Sequence, residues 1–157
     1  MPAFVPPVAP MPLFERLEDD APFEADEPHI RRTLDPEALR ASVRAELMRL
    51  LNTRRGATRT AARLDVLHYG LSDWTAKFAA RGVDRSALER DVADAIRAFE
   101  PRLGQPRAEV DLDPDAPWGL RLRITGNLQA GGQSWPVAFV AQLLDGQPVH
   151  IADERLA

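Results

Sequence analysis

Apolar residues recur at spacings of three and four along two long segments, a pattern typical of amphipathic helices. The first segment, DPEALRASVRAELMRLLNTRR, begins with Asp35 as a candidate N-cap and Pro36 at the first helical position. Asn52 and Gly56 supply signals for its end. We therefore predict a helix whose core-facing stripe consists of Leu39, Val43, Leu47, Leu50 and Leu51.

The second helical segment is DRSALERDVADAIRAFEPRL, with Asp84 as its candidate N-cap. Its apolar stripe consists of Leu88, Val92, Ile96 and Phe99. Proline cannot continue the hydrogen-bond ladder and disfavours helical backbone in the residue before it, so Pro101 is predicted to end this helix at Glu100. A shorter helical face is predicted between the two segments, from Leu64, Leu67 and Leu71, with Gly70 as its stop signal.

Beyond the second helix the apolar period changes to two, which is typical of strands. GLRLRITGNL alternates between apolar and polar residues, WPVAFVAQLL forms a second strand, and AEVDLD adds one before them. Gly131-Gly132 supplies one turn, and Asp145-Gly146 supplies another before QPVHI. The predicted fold is α+β, with N-terminal helices packed on a C-terminal antiparallel sheet of three to four strands. Pro136 fits either an edge strand or the start of a central strand.

Length and composition limit the possible classes of protein. A chain of 157 residues suits one domain, here residues 13–157, after a proline-rich head at residues 1–12 that we expect to be disordered. The net charge of -4 does not favour nucleic acid or an anionic membrane as a partner. The absence of cysteine excludes disulfides, and the N-terminus lacks the basic start of a secretory signal. No segment is apolar enough to span a bilayer, so a cytoplasmic protein is expected.

Glu100 is the first candidate for chemistry. One hypothesis makes it the general acid of a muramidase, with an aspartate partner among Asp111, Asp113 and Asp115. A general acid must hold its proton, however, and the neighbouring Arg102 favours the ionised carboxylate. An ion pair at the helix end is the commoner arrangement.

Other patterns give weaker hypotheses. The segment DLDPDAPW resembles the opening of a calcium loop, but alanine and leucine stand at the sixth and twelfth positions, so no metal site is predicted. The three histidines have no ligand spacing, and no cofactor is expected. A basic segment suits an acidic protein or, as an alternative, phosphates. Its arginines are Arg54, Arg55, Arg59 and Arg63.

Several segments, taken in order, resemble a known family. LLNTRR, VLHYGLSD, AIRAFEPRL and ITGNL follow one another, after an acidic LFERLEDD near the start. Together they are similar to TssE, the small baseplate wedge subunit of bacterial type VI secretion systems, in a wider family that includes wedge proteins of contractile phage baseplates. The resemblance covers roughly residues 12–145.

The resemblance implies a structural adaptor without catalytic residues, although the family is often labelled lysozyme-like. It implies docking on wedge proteins of the TssF and TssG types and on sheath subunits of the TssB and TssC types, in the cytoplasm at the inner face of the inner membrane. A monomer is expected in isolation. The implied partner-binding residues are Glu100, Pro101, Arg102, Asn52, Arg54, Arg55, Tyr69 and Gly70. The sheath-facing edge is predicted at Val137, Phe139 and Ala141.

Overall fold

A computed structural model describes residues 8–17, 23, 33–56, 65–74, 82–116 and 119–155. The helices are α1 (Leu13–Leu17), α2 (Pro36–Asn52) and α3 (Gly82–Phe99), with a 3-10 turn at Val66–His68. The strands are β1 (Ala9–Pro10), β2 (Thr33–Leu34), β3 (Leu103–Leu112), β4 (Leu120–Ala130), β5 (Gln133–Leu143) and β6 (His150–Glu154). The α+β prediction is confirmed: helices precede an antiparallel sheet of order β3-β4-β5-β6. No described helix is long and apolar enough to cross a membrane.

Helix α2 forms where its pattern predicts. The side chain of Asp35 accepts a hydrogen bond from the backbone N–H of Ala38 at 2.8 Å and so caps the helix. The predicted stripe of five apolar residues is buried in the core. Since these side chains lie on one face, α2 packs against its neighbours along its whole length.

Helix α3 and the segment before it differ from prediction at their starts. Helix α3 begins at Gly82, two residues before the predicted cap Asp84, and ends at Phe99, one residue before the predicted end at Glu100. The prediction of a short helix with Leu67 on its apolar face is wrong, because Leu67 lies in the 3-10 turn and is 75% exposed. Leu71, predicted on the same face, is buried. Leu64 lies outside the described residues.

The sheet places one face in the core. On β4, alternate residues from Leu120 to Ile124 are buried, whereas Arg121 and Arg123 between them lie on the outer face. Gly131 and Gly132 make the β4–β5 turn with positive φ, as their sequence predicts. The alternation therefore records which side of the sheet the helices cover.

The predicted sheath-facing edge is not an edge. Strand β5 pairs with β4 along its length and with β6 over residues 138–142. Val137, Phe139 and Ala141 point into the core and are buried. The short segment that becomes β6 completes the sheet on that side, which leaves β5 inside it.

The N-terminal segment also differs from prediction. Ala9 is buried and pairs with Leu34, so residues 9 and 10 form β1 of a small two-stranded sheet. The disordered head predicted for residues 1–12 therefore does not extend to residue 12. Residues 1–7 lie outside the described part of the chain.

Candidate partner-binding site at the ends of α2 and α3

Glu100 sits directly after the last residue of α3, and only 1% of its surface is exposed. Its Oε1 accepts hydrogen bonds from the backbone N–H of Arg102 at 3.1 Å and from Nε of Arg102 at 2.8 Å. Its Oε2 accepts from Nη2 of the same guanidinium at 2.6 Å. Pro101 stops the helix between them, so the chain turns back and the two charges meet in a two-pronged ion pair.

The ion pair continues into the helices. Nη1 of Arg102 donates to Oγ of Ser42 on α2 at 2.8 Å, and the Ser42 hydroxyl donates to Oε1 of Glu15 on α1. We call Glu15, Ser42, Glu100 and Arg102 the clasp. Burial acts to lower the pKa of Arg102, but the Glu100 hydrogen bond and nearby carboxylates outweigh it and raise that pKa above its usual value. The guanidinium of Arg102 therefore stays protonated and is held in a fixed position.

Tyr69 packs beside the end of α3. Its hydroxyl donates to Oε1 of Glu46 at 2.7 Å, and its ring meets Phe99 edge-on with centroids 5.2 Å apart. Burial, together with the Glu46 carboxylate, raises the pKa of Tyr69 well above its usual value. Tyr69 therefore remains a neutral donor that joins the 3-10 segment to α2.

Gly70 allows a close backbone approach. Its φ is +101°, and a Cβ placed there would lie 2.3 Å from the carbonyl oxygen of Thr53. Only glycine fits both the backbone angle and the space. This brings Leu71 alongside Thr53, whose carbonyl accepts from the Leu71 N–H at 2.9 Å.

Asn52, at the end of α2, holds the chain just before β6. Its side-chain amide donates to the carbonyl oxygen of Val149 at 2.9 Å, and its oxygen accepts from the Val149 N–H at 2.8 Å. A side chain that serves both backbone groups of one residue fixes the position of β6 relative to α2.

The two neighbouring arginines have opposite environments. Arg54 is exposed and lies 3.6 Å from Asp73, whereas the side chain of Arg55 is only 3% exposed and pairs with Asp91 at 2.8 Å. Both the backbone N–H and the hydroxyl of Ser72 also donate to Asp91. Burial acts to raise the pKa of Asp91, but these bonds from Ser72 and Arg55 prevail and lower it.

Most of the predicted partner-binding side chains thus bond within the chain. Glu100, Gly70 and the side chain of Arg55 are buried and do not offer a contact surface, which corrects the prediction for these three. Pro101, Asn52 and Arg54 are exposed, and Arg102 keeps 21% of its side chain exposed. The internal residues position the exposed ones.

Sequence reasoning missed several polar residues that complete these contacts, among them Ser42 and Asp91. Ser42 is buried on α2 directly beside the apolar stripe, and Asp91 precedes the buried Val92 on α3. A polar residue at the margin of a core-facing stripe is a signal that could have identified both, because it must find a hydrogen-bond partner there.

The sequence profile of the family described as "Baseplate wedge protein gp25" matches residues 37–133, more than half of the chain. The chain belongs to this family. The matched segment contains every residue of the clasp except Glu15, and membership gives the protein a structural role in a baseplate.

A solved structure supports the fold of this wedge protein. A chain of "The baseplate complex from the type VI secretion system" aligns with a TM-score of 0.51 and 17% sequence identity, over 76% of this chain and 97% of that one. At this identity the likeness shows the shared fold. Comparison with curated protein sequences gives no match.

The geometry of the wedge protein does not suit the muramidase hypothesis. Glu100 has no solvent-exposed carboxylate to offer a substrate. It precedes β3, whereas Asp111 lies near the far end of that strand, so at about 3.3 Å per residue they stand more than about 20 Å apart. Paired glycosidase carboxylates lie about 5–10 Å apart.

The remaining sequence hypotheses gain no support from the described residues. No cluster of three or more potential metal ligands occurs within them. His68 bonds Asp65 at 2.7 Å in the 3-10 turn, and His150 opens β6. His29, Arg59 and Arg63 lie outside the described part of the chain.

Proposed function

We propose that the chain is a non-enzymatic subunit of a type VI secretion baseplate, where it links wedge subunits to the contractile sheath and helps to initiate sheath assembly. The observation that supports this best is the family match across the clasp, together with the fold shared with a chain of the type VI baseplate complex. The working location would be the cytoplasm, at the inner face of the inner membrane, and the free subunit would be a monomer.

The wedge-facing surface would centre on Pro101 and the exposed part of Arg102. Glu100 accepts two parallel hydrogen bonds from the guanidinium of Arg102 and so fixes its orientation. Arg102 would therefore lose little conformational freedom when a partner binds it. A partner of the TssF or TssG type would offer carboxylates or backbone carbonyls to its remaining donor capacity. Asn52 and Arg54 would add contacts at the C-terminal end of α2, about 15 Å along the helix from Ser42.

The sheath-facing edge would be β6 rather than β5. At the opposite border of the sheet, α3 already occupies groups of β3: Glu89 accepts from the Val110 N–H at 2.9 Å, and Arg97 reaches the Pro106 carbonyl at 3.5 Å. Strand β6 is the other outer strand of the described sheet, although Arg40 on α2 donates to the carbonyl of its last residue, Glu154, at 3.1 Å. An outer strand can accept a further strand through backbone hydrogen bonds, here from a sheath subunit of the TssB or TssC type.

Co-purification tests the wedge contact. The chain would be expressed with wedge proteins encoded beside it, as wild type, Arg102→Ala and Arg90→Ala, the last a control at an exposed arginine of α3. Wild type and the control should co-purify with the wedge proteins, whereas Arg102→Ala should not. Circular dichroism would confirm that all three are folded. Equal recovery of all three would contradict the assignment of Arg102.

A turbidity assay with purified peptidoglycan tests the absence of enzymatic activity. Wild type should leave the turbidity unchanged, since Glu100 is buried in an ion pair. Lysis by wild type that Glu100→Gln abolishes would overturn the adaptor proposal in favour of a muramidase.

A further inference from the structure

The outer strand β6 carries a charged residue on the side of the sheet that the helices cover. Asp153 lies two residues after Ile151, which is buried in the core, so both side chains point to the same face. Because β6 is an outer strand, the Asp153 side chain still reaches water and is 37% exposed. An inward-pointing charge on an outer strand opposes unspecific strand pairing, since a further strand would cover it.

Two arginines of α2 bind Asp153 from the helix side. Nε of Arg40 donates to Oδ1 of Asp153 at 2.9 Å, and Nη1 of Arg44 donates to Oδ2. Nη2 of Arg40 also donates to the carbonyl oxygens of Glu154 at 3.1 Å and Ala138 at 3.3 Å. We call Arg40, Arg44 and Asp153 the edge cluster.

The two arginines of the edge cluster differ in what they can still bind. Arg40 serves three acceptors, and its guanidinium carbon lies 5.7 Å from the centroid of the Phe139 ring, so it is committed to the fold. Arg44 donates to Asp153 alone among the described residues, and 37% of its side chain is exposed. A guanidinium has five N–H donors, so Arg44 retains donors for a further acceptor.

The charge of the edge cluster defines what can cover it. Two guanidiniums and one carboxylate give it a formal charge of +1, which water now compensates. A strand added to β6 would lie about 4.8 Å away and would place the Cβ opposite Asp153 about 4.5–5.5 Å from that of Asp153. A neutral side chain there would displace water and leave the positive charge without compensation, whereas a carboxylate would neutralise it.

We propose that the edge cluster selects the strand that β6 accepts: an extended segment of another protein with a carboxylate beside Asp153, to which Arg44 donates. This inference rests on the proposed function for the use of the β6 edge, and it names the chemistry of the strand that binds there. A second copy of this chain is a poor occupant, because pairing two β6 strands at Asp153 would bring two positive clusters together.

Titration of the whole isotope-labelled chain with two short peptides, followed by NMR, tests this selection. The probes are acetyl-Thr-Val-Glu-Val-Thr-amide and its glutamine counterpart, which differ only in the charge of the central side chain. In wild type the glutamate peptide should shift the amide signals of Ala152 and Asp153 and the Nε–H signal of Arg44. It should bind at least about threefold more tightly than the glutamine peptide. Equal affinities, or no shift of these signals by either peptide, would overturn the proposal.

Arg44→Met is the matched variant, because it leaves Asp153 paired with Arg40 and makes the cluster neutral. It should bind the two peptides with similar affinity. Arg49→Met, at an exposed arginine of the same helix that pairs with Glu46, should keep the wild-type preference for the glutamate peptide. The same preference in Arg44→Met as in wild type would reject the role of Arg44. If that variant does not fold, the comparison of the two peptides on wild type still decides.

The other possible occupant of the β6 edge is a second copy of this chain. Sedimentation velocity of wild type should show a monomer. A dimer whose concentration-dependent NMR shifts lie in β6 would overturn the choice of an acidic strand from another protein.

Co-expression with the wedge and sheath proteins encoded beside this chain separates the proposal from the broader one. If wild type co-purifies with neither, the baseplate proposal fails, whatever the peptide titration shows. If wild type binds the sheath proteins and folded Arg44→Met binds them equally well, the edge cluster does not select the sheath strand and the baseplate proposal stands. Loss of sheath binding in Arg44→Met but not in Arg49→Met supports both.

Discussion

Removal of Arg102 should destabilise the fold itself, because among the described residues Arg102 is the only cation that pairs with Glu100. Arg102→Met keeps much of the side-chain volume but strands a carboxylate that is 1% exposed. Breaking a buried pair from one side costs about 3–5 kcal/mol. Since 21% of the Arg102 side chain is exposed and water can enter there, we expect a loss near the lower end, about 3 kcal/mol.

The converse change should cost less. Glu100→Gln keeps the shape and one acceptor, and it leaves a guanidinium that can reach water, so a loss of about 1.5 kcal/mol is expected. In the double variant neither charge is stranded. Its loss should therefore fall short of the sum of the single losses by about 1–2 kcal/mol, as for residues in direct contact.

Urea denaturation followed by far-ultraviolet circular dichroism measures these losses, provided that the slope stays constant among variants. Domains of this size shift their melting temperature by about 2–4 °C per kcal/mol, so Arg102→Met should melt about 6–12 °C lower. Arg97→Met is the matched control. It removes an exposed ion pair with Asp94 and a long bond of 3.5 Å to the Pro106 carbonyl, and it should cost less than about 1 kcal/mol. A comparably small loss for Arg102→Met, or strictly additive single losses, would refute the clasp as a stabilising unit.

Three further variants test the surrounding contacts by the same unfolding assay. Gly70→Ala should cost more than about 2 kcal/mol for two reasons: the new Cβ collides with a backbone carbonyl, and alanine disfavours the positive φ at this position. Gly132→Ala has positive φ but open space and should cost about 1–2 kcal/mol, so equal losses would exclude the steric argument. Asn52→Ala should cost about 2 kcal/mol, because it leaves the N–H and the carbonyl of Val149 without their side-chain partner. Asn127→Ala, which removes a bond of 3.5 Å, should cost only a few tenths of a kcal/mol, and similar losses for the two variants would contradict the role of Asn52. Because folding lowers the pKa of Asp91, the stabilisation by its carboxylate is fully present above its unfolded pKa near 3.8 and is lost as pH falls through the folded value. The difference in unfolding free energy between wild type and Asp91→Asn should therefore be largest at neutral pH and disappear in acid. A difference independent of pH would contradict this.

The sequence by itself determined the order and type of the main elements. The stripe from Leu39 to Leu51 and the alternation from Leu120 to Ile124 indicate which side of each element faces the core. This can be read from the sequence because side-chain direction within one helix or strand depends only on that element's own geometry. The end of α3 before Pro101 is local too, since proline acts on its own ladder and on the residue before it. The resemblance carried by the same segments gave the family correctly.

The ion pair at the end of α3 was open to prediction from the sequence, but tertiary structure alone decided which distant residues the charged side chains contact. Nothing in the spacing of Glu100 and Arg102 shows that they turn inward and meet Ser42, which lies 60 residues away from Arg102 along the chain. Likewise, the pattern of β5 does not state which strands flank it, and pairing with β6 placed Val137 and its neighbours inside the sheet rather than at its border. Side-chain periodicity is fixed by the geometry of a single element, whereas strand order and long-range ion pairs depend on how separate elements pack.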